Sequence, residues 1–338
     1  MSAILNIKPL GFPWETQDPF LFCVHHLDHF PEGNEKMGPD PSLLRGRSMG
    51  NDFVIKDGFR MYHGMVVPGF PSHPHSGFET VTIARQGFID HSDSLGAAAR
   101  FGNGDIQWMT AGSGVQHSEM FPLLNKDKEN TGELFQIWLN LPAKSKDVDP
   151  HFKMLWGEDV PHKTLTDTNG KKVDLTCVAG SLEGMTAPDP APNSWAADPE
   201  NDVAIWTIKM EAGAQWTLPK AEKNVNRSLY FFTGETITID GQEFNTYRAV
   251  ELDSTQDVPL ENGNQETELL LLQGKPIGEP VAQYGPFVQT SQEGIQKTMQ
   301  EYQRTQFGGW PWPKSDNTHA REKGRFAIHA DGTEEVRD

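Results

Sequence analysis

The stretch Phe70–Ile83, FPSHPHSGFETVTI, decides how this chain is read. His73 and His75 are separated by one residue. Successive side chains of a strand alternate between its faces, so both imidazoles enter the same space. Beyond Gly77 the run FETVTI is rich in β-branched residues and reads as a buried strand. Two histidines at the lip of such a strand predict that something lies between them.

A second pair repeats the spacing. In GSGVQHSEMF, His117 and Glu119 are again one residue apart. If both segments are inward-facing strands, His73, His75, His117 and Glu119 converge. Three neutral imidazoles and a carboxylate suit a divalent transition metal with positions left open for other ligands. Three histidines alone suit zinc; a fourth oxygen ligand with open sites fits Fe(II), Mn, Ni or Cu equally, so ligand type does not choose among them. Glu79 is the rival acidic residue: on an unbroken strand it shares the parity of His73 and His75 and faces the same cavity, as a ligand or as an acceptor that fixes an imidazole tautomer. The lone residues His63, His151 and His162 read as structural or surface histidines. Two spaced pairs are different, because several buried titratable groups need partners.

Working outward, 338 residues suit two domains. A hydrophobic content of 36% can build their cores, and a net charge of −18 without a clustered basic face argues against nucleic-acid binding. The two cysteines, Cys23 and Cys177, are far apart and fit neither a disulfide framework nor a metal motif, which points to a reducing compartment. No apolar run approaches a membrane span, and the first twenty residues lack the pattern of a signal peptide, so a cytoplasmic protein is expected.

The 32 glycines and 24 prolines punctuate short β-type segments, as in sandwiches and barrels. RMYHGMVV, FETVTIARQG, DIQWMTAG and LFQIWLNLP fall in the first half; VAIWTIKME, LYFFTGETITIDG and TELLLLQG fall in the second. Two all-β domains follow, with PAKSKDVDPHF read as the linker near residue 145. One helix is expected after GPFVQ, started by the capping-box spacing of Thr290 and Glu293, with Ile295, Met299 and Tyr302 on one face. The tail beyond Thr305 is rich in Gly, Pro and charge; it either wraps over the surface through Trp310 and Trp312 or is partly disordered.

The motifs GFPSHPHSGFETVTI, GNGDIQWMTAGSGVQHSEMF and LFQIWLNLP, followed by GKPIGEPVAQYGPFVQ, closely resemble the pirin family of the cupin superfamily over roughly residues 15 to 305. The resemblance implies an all-β bicupin: two jelly-roll or β-barrel domains packed face to face, with a short C-terminal helix and an irregular tail. The expected division is 1–145 for a metal-binding N-terminal cupin, 146–290 for a second cupin and 291–338 for helix and tail. It implies an iron held by His73, His75, His117 and Glu119, and moves Glu79 to hydrogen-bonding support. The second cupin has no histidine between Glu211 and Leu272 and is expected to bind no metal.

By the same resemblance the expected activity is that of a quercetin 2,3-dioxygenase-type oxygenase acting on a flavonol-like or other enolizable small molecule, with Glu119 as ligand and base. Gln107, Met109, His91 and Asp93 are candidate pocket residues, each with an ordinary alternative as core filler or turn residue. The alternative function is a redox-sensing iron protein that modulates transcription regulators or metabolic enzymes through protein contacts. The stretch around residues 30–60 and the tail exceed the compact pattern, and both could reshape access to the cavity.

Overall fold

The computed structural model describes residues 2–337. The alternating segments picked out above become antiparallel strands in two compact units, each built mainly from two large sheets. The first unit takes the chain up to Val24, Ile137–Pro142 and Glu158–Gly278; the second takes His25–Gln136, Ala143–Gly157 and the chain from Glu279 onward.

These units do not follow the expected division at residues 145 and 290, for reasons of strand pairing. Ile4–Pro9 pairs with Arg248–Leu252 and so joins the sheet of the first unit. The supposed linker is structural: Lys146 is buried and donates Nζ to the Gly77 carbonyl at 2.9 Å, and His151–Leu155 pairs with Ile106–Thr110. A polar composition interrupted by prolines was compatible with a linker, but the segment turns locally at residues 143–148 and enters the sheet of the second unit from His151.

The first unit is an apolar sandwich. A seven-stranded sheet faces a four-stranded one, and Leu175, Trp206, Leu229, Phe231, Leu260 and Leu271 are among the buried residues of its core.

The second unit differs because much of its interior is polar. It takes most of a five-stranded sheet that runs His151–Leu155, Ile106–Thr110, Phe78–Gln86, Asn130–Asn140, Phe20–Phe30, with residues 130–136 and 25–30 of the last two strands. Its six-stranded sheet runs Glu334–Arg337, Arg325–Ile328, Ala98–Gly102, Phe88–Asp93, Val115–Met120, Gly69–His75. The HPH strand and the FETVTI strand therefore belong to different sheets. The chain turns between them at Gly77, whose φ of +85° and closeness to the Val288 carbonyl leave no room for a Cβ.

The tail wraps, and it does so as ordered structure. Arg325–Ile328 extends the six-stranded sheet beside Ala98–Gly102, and Trp312 donates Nε1 to the Asp93 carbonyl at 2.8 Å, while Trp310 bonds locally to the Lys314 carbonyl. Its anchor is Arg100, fully buried, which forks onto Asp90 at 2.7 and 2.8 Å and also donates to the carbonyls of His319, Ala320, Arg321 and Lys323. The helix spans Gln292–Thr305 and packs Ile295, Met299 and Tyr302 against Phe287 and Phe307. Its N-cap is Ser291, not Thr290: Ser291 is extended and its hydroxyl accepts from the Gly294 amide.

Arg100→Met should leave Asp90 as an unpaired buried charge and release the tail. Removing one partner of a buried pair costs about 3–5 kcal/mol. A matching loss in denaturant stability, with trypsin cleaving beyond Gly309 before it attacks the barrel, is the expected outcome; unchanged stability and protection would contradict this account of the anchor.

Candidate metal centre

Antiparallel pairing between the HPH and HSE strands sets the site. His73 lies directly opposite His117, and His75 opposite Val115, so the three imidazoles share one face. The register shifts between Phe70 and His73, a bulge that places Phe70 rather than Pro71 opposite Glu119. One ring nitrogen from each of His73, His75 and His117 lies within 4.8 Å of the others. Glu119 stands beside this group, its Oε2 3.7 Å from His117 Nε2.

The protons fit a cation. His73 Nδ1 lies 2.9 Å from the Pro71 carbonyl and must donate to it, so His73 Nε2 carries a lone pair. That lone pair faces His117 Nε2 at 3.0 Å. Burial pushes the His73 imidazole down to about 4 and pulls His75 and His117 well below their usual value, reinforced by the neighbouring histidines. Three neutral imidazoles converging, with His75 and His117 buried and His73 partly so, are a donor set for a divalent transition metal.

Glu119 is shifted the other way. Burial raises its carboxyl to about 7, against the opposing effects of His91 and of hydrogen bonds from Thr82 and Gln136. Gln136 Nε2 donates to Glu119 Oε2 at 3.2 Å, and Thr82 Oγ1 lies 3.2 Å from Oε1 and 2.5 Å from Gln136 Oε1. Neither Thr82 nor Gln136 was singled out in the sequence. The available signal was a polar residue at an inward position of an otherwise apolar strand, as in LFQIWLNLP.

Glu79 corrects the sequence reading. It pairs in register with Thr110, accepts from Thr110 Oγ1 at 2.7 Å, and lies on the face of its strand opposite to that of Thr82. The parity shared with His73 and His75 was lost when the chain changed sheets at Gly77, and Glu79 faces Thr110 instead.

The four pocket candidates divide. His91 lies opposite Glu119 across the strand pair, with its ring centroid 5.5 Å from that of His117. Asp93 is the turn residue behind it: Oδ1 accepts from the amides of Leu95 and Ala97, and Oδ2 lies 3.2 Å from His91 Nε2. Gln107 pairs in register with Thr82, which puts it on the inward face, and both its amide atoms are buried with no hydrogen-bond partner among the described residues. Met109 is core, packed with Ala111 and Val115.

Family models match two segments of the chain, Pirin over residues 33–139 and the Pirin C-terminal cupin domain over residues 205–308. A Pseudomonas aeruginosa protein provisionally named a quercetin 2,3-dioxygenase is 35% identical over 240 residues, covering 71% of this chain and 79% of that protein. Pirin-1 of Arabidopsis thaliana is 32% identical over 255 residues, covering 71% and 78%. Among solved structures, quercetin 2,3-dioxygenase from Acinetobacter baumannii aligns with a TM-score of 0.70 at 24% identity, over 91% of this chain and 99% of that one, which establishes the shared fold. No helix among the described residues is long and apolar enough to cross a membrane.

The opposite shifts set the pH behaviour of metal uptake. The imidazoles stay neutral well below their unperturbed value, whereas Glu119 titrates near 7. Titration calorimetry in buffers of different protonation enthalpy should then show about one proton released per metal below about pH 6, fading above about pH 8. Glu119→Gln should abolish the release. A release that persisted in that variant would show that the proton comes from the histidines.

Proposed function

This chain belongs to the pirin family of two-cupin proteins, and from that premise we propose that it is an iron-binding oxygenase of the quercetin 2,3-dioxygenase type acting on a flavonol-like or other enolizable small molecule. The carrying observation is the group of three imidazoles, with His75 and His117 buried and His73 partly so, next to a carboxyl that titrates near neutrality. The names of the Pseudomonas and Acinetobacter relatives support the reaction class.

His73, His75, His117 and Glu119 would hold the ion, with Fe(II) preferred and Mn, Ni, Cu or Zn chemically compatible with the same donors. When bound, the metal supplies Lewis acidity and a template that brings an enolizable substrate and dioxygen together. The chain supplies the rest. Burial keeps the imidazoles unprotonated and able to donate their lone pairs. Glu119, with its carboxyl raised to about 7, is matched to taking a proton from a substrate hydroxyl at neutral pH. Gln136 and Thr82 fix the plane of that carboxylate, and its burial shields it from bulk water. Cys23 and Cys177 are buried free thiols, which supports a reducing, cytoplasmic setting.

The test is anaerobic loading with Fe(II), metal analysis, then oxygen uptake with quercetin. About one iron per chain and quercetin-dependent uptake are expected, and Glu119→Gln should lower turnover by about 100-fold or more per iron bound. Iron binding without any uptake would overturn the oxygenase reading in favour of a protein whose contacts depend on the oxidation state of its iron.

A further inference from the structure

The three-histidine group is not evenly enclosed. His75 and His117 are buried, whereas His73 is partly exposed, as are Phe70, Pro71 and Ser72 before it. The centre therefore meets solvent on the His73 side, next to the Phe70 ring, whose centroid lies 6.3 Å from that of His73.

The segment 47–66 reaches this edge, and most of it falls in the long stretch around residues 30–60. It is firmly tied. Arg47 is buried, lies over the Phe59 ring at 3.8 Å, and donates to Asp52 Oδ2 at 3.0 Å and to the carbonyls of Phe59 and Lys56 at 3.0 and 2.5 Å. Asp52 Oδ2 also accepts from the Met61 amide, and the backbones of Asp52 and Tyr62 exchange two bonds at 2.8 and 3.0 Å. Tyr62, left-handed at φ +58°, is pinned through its hydroxyl, 2.5 Å from Asp28 Oδ2 and 2.8 Å from His26 Nδ1. A loop held at so many points keeps its outward side chains in fixed places.

Those side chains are aromatic and apolar. The Phe53 ring is 5.0 Å from His63 and 6.3 Å from Phe70, and His63 is 5.7 Å from Phe70. The three rings make one ledge, which Phe70 continues to His73. Val54 and Ile55 follow Phe53, Met65 and Val66 follow His63, and all four are exposed. Exposed apolar side chains gathered on one tied segment mark a binding surface.

His63 is the polar member of the ledge. It is exposed, and its Nδ1 lies 2.7 Å from the Gly50 carbonyl, to which it must donate. In the neutral ring Nε2 then carries the lone pair and accepts. The sequence read His63 as a structural or surface histidine, and the structure puts it beside the way to the metal centre.

We propose that Phe53, His63 and Phe70 form an outer subsite for the ring of the substrate that lies farthest from the metal, and that His63 Nε2 accepts from a hydroxyl on that ring. The substrate class becomes a flavonol-like molecule hydroxylated at both ends. This rests on the oxygenase reading, in which the enolizable end reaches the three imidazoles and Glu119. Phe53 and Phe70 supply stacking area, and His63 selects for a donor. Because His63 is exposed, its bond competes with water and is worth a few-fold in affinity.

The experiment uses full-length protein loaded with Zn(II), which has no redox chemistry, so that ligands bind without turnover. Calorimetry under argon gives dissociation constants for quercetin and for galangin, the flavonol that lacks both hydroxyls of the far ring. Quercetin should bind about 3–10-fold more tightly. His63→Phe keeps a ring and removes the acceptor, and should bring the two ligands within about twofold of each other. Phe53→Leu keeps an apolar side chain and removes the ring, and should weaken both ligands by about threefold or more. Both variants should retain their zinc. Equal affinities in the wild type, a preference for quercetin that survives His63→Phe, or Phe53→Leu without effect would overturn the subsite. Galangin binding would still leave the metal-centred reading standing in each of those cases, whereas binding of neither flavonol would bring down the substrate class and the subsite together.

Discussion

The cross-strand pairing of His73 with His117 is the contact on which the rest of the second unit depends. It brings two strands from separate parts of the chain into a register that puts three imidazoles on one face. The bulge between Phe70 and His73 lets Glu119 stand beside them while Phe70 closes the next position along. A slip of one residue would turn the histidines to the other face, because side chains alternate. The turn at Gly77, the return of His151–Leu155 and the clasp of Arg100 on the tail hold the sheets that fix this register.

The centre places several titratable groups in a protein interior, and the two kinds of group respond oppositely. Burial disfavours charge, so imidazoles lose their protons and a carboxyl keeps its own. The three donors are thereby ready for a cation, and the carboxyl is left to exchange a proton near neutrality. The first unit, by contrast, is stabilised by an ordinary apolar sandwich core. The two units are alike in architecture and differ in what their inner faces carry.

Much of the fold and half of the site were legible in the sequence. The spacing of His73, His75, His117 and Glu119 survives into the structure because strand alternation is local and needs only two neighbouring residues. What failed depended on where the chain goes next. Glu79 was assigned by parity across Gly77, and a turn between sheets resets parity. Thr82 and Gln136 come from the opposite sheet, and nothing near the HSE motif announces them. The linker and the tail looked irregular because polar, Pro-rich sequence says little about which distant strand will take up its backbone hydrogen bonds. His26 and Asp28 alternate correctly in HHLDHF, but the bonds that join them run through Tyr62, farther along the sequence and held in an uncommon backbone conformation.

The most direct test of the central claim is an anomalous diffraction map of crystals grown with Fe(II), recorded on either side of the iron edge. The account predicts one strong peak bounded by the ring nitrogens of His73, His75 and His117 with Glu119 at its side. A map with no peak there, or with its strongest peak elsewhere on the chain, would contradict it.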